Sequence, residues 1–161
     1  MWQNAGFLKE EADVEIAMQK LGSLINNVQE KYRSFSAGEL MYKPAFNKWS
    51  KQEILGHLID SAINNLKRFT EIQFLSLPYI VQSYQQENLV LVNNYQHLPL
   101  AHLLDLWAAL NKQIIYVVEN IPAEKFSYPV NPQYDNNETK NLRWIICDYV
   151  AHMEHHIRQV S

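Results

Sequence analysis

Apolar residues recur along this chain at the three- and four-residue steps of an amphipathic helix, and they do so in four long segments. Ser50 and Glu53 stand at the spacing of a capping box, which marks the start of the second of these segments. No stretch alternates between apolar and polar residues as a half-buried strand would, so no strand is predicted. The pattern indicates an all-α chain with helices at about Lys9–Tyr32, Lys51–Phe74, Leu100–Asn120 and Leu142–Gln159.

The connections between these segments are long and rich in turn-forming residues, at 34–48, 75–99 and 122–140. Within the second connection, a short helix is predicted near Glu87–Tyr95. Four amphipathic helices form a bundle by default, and connections of this length leave room for a crossover rather than simple up-and-down winding. We therefore expect residues 1–161 to form a single domain, a four-helix bundle with long crossover connections.

Composition narrows the class of protein without naming a reaction. The chain has 161 residues, of which 47% are apolar and 19% charged, and its net charge of −3 argues against nucleic acid as a partner. Cys147 is the only cysteine, which excludes an internal disulfide and a cysteine-rich zinc site. The sequence lacks a signal-peptide pattern and a long apolar span. We expect a cytoplasmic protein that acts on a small molecule and binds no membrane.

The histidines carry the strongest chemical signal. Three of the six lie within five residues, at His152, His155 and His156. His152 and His156 are four residues apart, so a helix places both imidazoles on one face, beside the apolar stripe of the last segment. At about 100° per residue, His155 falls towards the flank of that helix. The spacing therefore favours His152 and His156 as a pair of metal ligands.

A facing helix of a bundle can supply a third ligand, and His57, early in the second segment, is the candidate. Three neutral imidazoles with an open fourth position describe a catalytic zinc-type site, although nickel and iron also accept imidazole. The competing interpretation is that these histidines are ordinary core or surface residues. Asp60, one turn after His57, either orients that imidazole or is a surface carboxylate. His97 and His102 are interpreted as solvated.

Two segments resemble a known family. The run KWSKQEILGHLIDSAINNLKRF, from Lys48 to Phe69, resembles the second helix of the DinB-like superfamily, and its YfiT-type branch especially. The ending ICDYVAHMEHHIRQV resembles the family's last helix, with its D-Y-x-x-H-x-x-H-H-x-x-Q pattern. Between them, the segment Tyr84–Val90 resembles a Y-D-x-D-x-W-V motif, but Gln85, Glu87 and Leu89 replace its two aspartates and its tryptophan.

The resemblance implies a four-helix bundle with a crossover topology and a metal site formed by His57, His152 and His156, with His155 outside it. It also implies a divalent metal ion, zinc or nickel first, in an enzyme that transfers a low-molecular-weight thiol. A metal-dependent hydrolase and a non-catalytic metal-binding bundle are the alternatives. Homodimers are common in the family, so a homodimer is expected here.

Four residues near the expected site are candidates for catalysis. Asp60 and Glu87 could act as general bases, and Tyr84 or Tyr149 could donate a hydrogen bond to a developing anion. The departure of Tyr84–Val90 from the family motif leaves the substrate open, because that segment could line the mouth of the site.

Overall fold

The structure, a computed structural model, describes residues 12–133 and 138–161. In those two ranges the chain forms six α-helices, namely α1 Val14–Arg33, α2 Ala37–Met41, α3 Lys51–Glu71, α4 Gln86–Val92, α5 Leu100–Glu119 and α6 Leu142–Gln159. They are joined by two 3₁₀ turns and three short strands, namely Tyr95–His97, Ala123–Ser127, β1 Tyr79–Ile80, β2 Pro129–Asn131 and β3 Lys140–Asn141.

The hydrophobic pattern located the four long helices well. The bounds of α6 agree with the prediction, α5 ends one residue before the predicted Asn120, and α3 ends at Glu71 rather than Phe74. The predicted start of α1 at Lys9 is wrong: residues 9–11 lie outside the described ranges, but the helix begins only at Val14. Asp13 is the reason, because its carboxylate caps the helix by accepting from the Ile16 amide at 3.1 Å.

Capping residues also fix the start of α3, the helix that carries His57. The Glu53 amide donates to the Ser50 hydroxyl at 3.1 Å, and the Ser50 amide donates to the Glu53 carboxylate at 2.9 Å. This reciprocal pair is the predicted capping box. A second capping box, from Ser36 to Glu39, starts α2, a helix of only five residues that is too short to show a hydrophobic period.

The four long helices pack in a ring around one core. α3 packs against α5 and α6, and α1 packs against the same two helices, so the order around the bundle is α1, α5, α3, α6. Consecutive long helices α1 and α3 therefore lie across the core from each other, as do α5 and α6. Their connections must cross from one side of the bundle to the other, which confirms the predicted four-helix bundle with crossover connections.

The prediction that the chain has no strand is wrong in detail. β2 pairs with β1 in parallel and with β3 in antiparallel fashion, with Val130 opposite both Tyr79 and Lys140. Strands of two or three residues are too short to show an alternating pattern. The small sheet joins the connection that follows α3 to the one that precedes α6.

α3 runs antiparallel to α6. The Lys51 ammonium, at the start of α3, donates to the backbone carbonyl of Ser161 at 2.8 Å, beyond the end of α6. Further along α3, the ring of Phe69 meets the ring of Tyr149 edge-on, with centroids 5.9 Å apart. Early residues of α3 therefore face late residues of α6, which is the arrangement that a metal site shared by His57 and His152 needs.

α3 is enclosed over its first three turns, since every residue from 52 to 62 is buried. The ring of Tyr95, from the 3₁₀ turn before α5, lies directly against the backbone of Gly56. A Cβ at position 56 would come within 2.2 Å of two carbon atoms of that ring. The absence of a side chain at Gly56 thus allows Tyr95 to reach along α3, where its hydroxyl donates to Asp60 at 2.6 Å.

Among the described residues, no helix combines the length and apolarity needed to cross a membrane.

Replacing Gly56 with alanine should therefore destabilise the protein. The added methyl group must displace the Tyr95 ring, and overpacking of this kind costs about 1–3 kcal/mol in the free energy of unfolding. Gly22→Ala is the matched control, because Gly22 also lies inside a helix and a Cβ there meets no atom within 4 Å. That variant should gain roughly 0.5–1 kcal/mol. Urea denaturation measures both, and equal effects at the two positions would contradict the close Tyr95 contact.

Candidate metal centre

His57 from α3 and His152 and His156 from α6 converge at one point. One ring nitrogen from each can be chosen so that all three lie within 4.8 Å of one another. The Nε2 atoms of His57 and His152 are 3.2 Å apart. The ring centroid of His156 is 4.6 Å from each of the other two. The three histidines singled out from the sequence are thus brought together in space.

The donor set fits a divalent transition metal ion. Two imidazole nitrogens that bind zinc at 2.0–2.1 Å in tetrahedral geometry are separated by about 3.3 Å, close to the 3.2 Å found between His57 and His152. Buried imidazoles that point ring nitrogens at each other are hard to satisfy with protons alone, whereas one cation between them satisfies all three.

Burial keeps these imidazoles neutral. Desolvation lowers the pKa of His57 to about 3 and that of His156 to about 4, and it lowers the pKa of His152 well below the ordinary histidine value. The proximity of the rings acts in the same direction, because a charge on His156 would repel a charge on His57 or His152. Each ring therefore keeps a nitrogen lone pair at neutral pH, which is the form that binds metal.

The outer faces of the rings have different surroundings. Nδ1 of His152 faces the Ser61 hydroxyl at 3.5 Å, and Nδ1 of His156 is 3.1 Å from the Gln159 side-chain oxygen. Contacts of this kind fix the orientation of a metal-binding imidazole. The Trp49 ring covers His57 at a centroid distance of 4.8 Å. Access of solvent to the buried pair is thereby reduced.

The remaining histidines lie outside this cluster. His155 is exposed at the flank of α6, and its ring contacts the Gln159 side chain. The ring of its neighbour His156 lies against His57 of α3. His97 and His102 are exposed in the 3₁₀ turn and at the start of α5, as expected for solvated side chains.

Asp60 is buried, which rules out the interpretation of a surface carboxylate. One carboxylate oxygen accepts from the Tyr95 hydroxyl at 2.6 Å and from the Asn93 amide at 3.2 Å. The other, Oδ2, has no hydrogen-bond partner among the described residues, and neither has Nδ1 of His57 one turn earlier. Desolvation raises the pKa of Asp60 to about 6, so the group changes protonation state near neutral pH.

The other three candidates occupy different environments. Tyr84 is partly buried, with the Arg68 guanidinium 5.6 Å from its ring centroid, and burial raises its pKa to about 12 although Ser61 lowers it. Glu87 is exposed on α4 and forms no hydrogen bond or ion pair within the described ranges. Tyr149 is enclosed in the core, where its hydroxyl donates to Asn111 at 2.6 Å. That bond ties α6 to α5 across the bundle and favours a structural role for Tyr149.

Sequence reasoning overlooked a buried polar stripe that continues from His57 along α3. Ser61, Asn65 and Arg68 follow His57 at steps of four, four and three residues, and all three are buried. The signal was present, since these polar residues share one helical face. Hydrophobic periodicity assigns a polar helical face to the solvent side, and only the packing of the bundle shows that this face is buried.

The fold and the sequence both have known relatives. The sequence is 21% identical over 152 residues to a Halalkalibacterium halodurans protein that carries the name "putative metal-dependent hydrolase", covering 94% of this chain and 86% of that one. The structure matches YfiT from Bacillus subtilis with a TM-score of 0.81 at 16% identity, over 95% of this chain and 86% of that one. YfiT is described as a probable metal-dependent hydrolase with an unusual four-helix bundle topology.

A conserved protein from Enterococcus faecalis has the same fold, with a TM-score of 0.61 at 15% identity over 94% of this chain and 96% of that one. At these identities the structural likeness speaks for the fold alone. The sequence itself matches the DinB superfamily over residues 11–160, nearly its whole length. This chain therefore belongs to the DinB superfamily.

Proposed function

We propose that this chain, acting as one domain, is a divalent-metal-dependent enzyme whose ligands are His57, His152 and His156. The convergence of three neutral, largely buried imidazoles carries the proposal. The ligands add no negative charge, so a divalent cation held there would lower the pKa of water or of a thiol enough to provide a nucleophile near neutral pH. Zinc and nickel are the first candidates, because both accept imidazole nitrogen.

Hydrolysis of a small molecule is the version that the surroundings of the site support best. A hydrolase needs a group that takes a proton from water, and a carboxyl with a pKa of about 6 suits that task near neutral pH. Asp60 has this property, lies one turn from His57, and holds a carboxylate oxygen without a partner among the described residues. Its orientation is fixed by Tyr95 and Asn93. The names of the relatives point to the same reaction class.

Transfer of a low-molecular-weight thiol is the second candidate. The observation that favours it is the absence of a carboxylate from the histidine cluster in the described parts of the chain. Neutral ligands favour any anionic nucleophile, and a thiol ionises more readily than water. In this version Asp60 is not needed as a base, which separates the two reactions experimentally.

Metal binding should depend on His152 and not on His155. His152→Ala removes a buried ligand, so zinc or nickel stoichiometry, measured by mass spectrometry after dialysis, should fall from near one per chain to background. His155→Ala is the matched control, because it makes the same change on the same helix at an exposed position. That variant should retain the metal. Equal loss in both variants, or no metal in the unaltered protein, would contradict the proposed ligand set.

The affinity for zinc should be nearly independent of pH between about pH 7 and about pH 5, since burial lowers the pKa of His57 to about 3, that of His156 to about 4 and that of His152 well below its ordinary value. Three imidazoles of ordinary pKa, near 6.5, would lose about four orders of magnitude over the same interval. The stability of the metal-free protein, unlike the zinc affinity, should depend on pH in this range. The unfolded chain binds protons below about pH 6.5 while the folded site does not, so stability falls from there towards pH 4.

Competition with a chelator, corrected for proton binding to the chelator, gives the zinc affinity at each pH, and circular dichroism shows that the chain stays folded. A loss of several orders of magnitude by about pH 5 would mean that the ligands are solvated, ordinary histidines.

Activity should require the metal and separate the two reactions. The zinc- and nickel-loaded protein is assayed with a panel of activated esters and amides, and with monobromobimane plus several low-molecular-weight thiols. His57→Ala should reduce either activity to background. Asp60→Asn should reduce hydrolysis by about 10²–10⁴-fold and abolish its decline below about pH 6, while leaving thiol transfer largely intact. A metal-loaded protein inactive in both panels would favour a non-catalytic role.

A further inference from the structure

The α3 polar stripe, formed by Ser61, Asn65 and Arg68, is the most unusual feature that the proposed function does not use. Its members are at most 4% exposed, although one of them is a charged arginine. Burying such groups is costly unless each has a hydrogen-bond partner. The stripe starts one turn after His57 and leads away from the histidines into the bundle. Its position suggests a task connected with the metal centre.

The first contact of the stripe is with His152. A neutral imidazole has one N–H and one lone pair, so the nitrogen that faces the metal must be the one without the proton. Nε2 of His152 faces Nε2 of His57, which leaves Nδ1 as the protonated atom in a metal-binding state. Nδ1 lies 3.5 Å from the Ser61 hydroxyl. This distance is at the long end of the range for a hydrogen bond.

Ser61 is itself held in place by the next members of the stripe. The side-chain amide of Asn65 donates through Nδ2 to the backbone carbonyl of Ser61 at 2.9 Å. The same nitrogen lies 3.4 Å from the Ser61 hydroxyl. Arg68 in turn places Nη1 3.4 Å from the Asn65 side-chain oxygen. Because a guanidinium can only donate, this contact fixes which end of the Asn65 amide faces Ser61.

Arg68 also connects the stripe to the loop that follows β1. Its Nη2 donates to the Gln82 carbonyl at 2.6 Å, and its guanidinium lies over the ring of Tyr84. The Tyr84 phenol in turn faces Ser61, whose hydroxyl lowers the phenol's pKa. One side chain thus holds both the inner end of the stripe and the loop that closes over it.

We propose that Ser61 is a positioning residue that holds the His152 imidazole with Nε2 towards the metal, and that Arg68 acts through Asn65 to keep Ser61 in place. This inference rests on the proposed metal site. It assigns a role to residues that touch neither the ion nor a substrate. The stripe also explains why a polar face of α3 is tolerated inside the bundle.

The test is zinc affinity, measured by chelator competition. Ser61→Ala should weaken binding about 10-fold, the lower end of what loss of such a partner costs. Ser23→Ala is the matched control, since it removes another helical serine hydroxyl, at an exposed position of α1. It should leave the affinity unchanged. In the cobalt-loaded protein, the exchangeable Nδ1 proton of His152 should also exchange faster with solvent in Ser61→Ala than in the control.

Arg68→Lys supplies the second half of the test, because it keeps the positive charge that acts on His152 directly but loses the forked contacts of the guanidinium. Alone it should weaken zinc binding, but combined with Ser61→Ala it should add nothing, because the lost contacts act through Ser61. Additive effects in the double variant would overturn the role of Arg68. Unchanged zinc affinity in Ser61→Ala would overturn the proposal while leaving the metal site standing. Failure of the unaltered protein to bind metal would instead remove the proposed function, and this inference with it.

Discussion

Two imidazoles without exposed surface and a third that is half-buried occupy the contact between the beginning of α3 and the end of α6. Their ring nitrogens face one another across a few ångströms, in surroundings that disfavour protonation of the imidazoles. Such a group of polar atoms is unfavourable unless something satisfies it, and a cation does so with one particle. The antiparallel pairing of α3 with α6 places the beginning of α3 beside the end of α6, and this is what brings the three imidazoles together.

α3 contributes most of the features that surround the site. The buried positions of α3 have no contact with solvent, so the polar residues there need partners from neighbouring elements. Tyr95 and Asn93 supply them to Asp60, while Gln82 supplies one to Arg68. The connection between α3 and α5 therefore does more than close the chain: it satisfies the buried polar side chains of α3. This explains why that connection is long and carries polar and aromatic residues.

The carboxyl group of Asp60 and the phenol of Tyr149 were equivalent candidates in the sequence, but the fold places them in different surroundings. Asp60 has a raised pKa, and one of its oxygens has no hydrogen-bond partner in the described parts of the chain, as the proposed role in proton transfer requires. Tyr149 has its hydroxyl engaged with Asn111 in the core, which is a property of a structural one. Both lie three residues from a site histidine along their own helices. Helical spacing cannot separate them, because the difference depends on which neighbouring helix each side chain meets.

The sequence by itself determined the four long helices, since hydrophobic periodicity and the Ser50 capping box are local signals. It also determined that His152 and His156 share a face, because a four-residue step on a helix leaves no alternative. The tertiary structure alone decided that His57 joins them from 95 residues away, that Asp60 is buried, and that Ser61 and Arg68 lie inside the bundle. These outcomes depend on the packing of helices that the chain separates, and packing is not a property of any single segment.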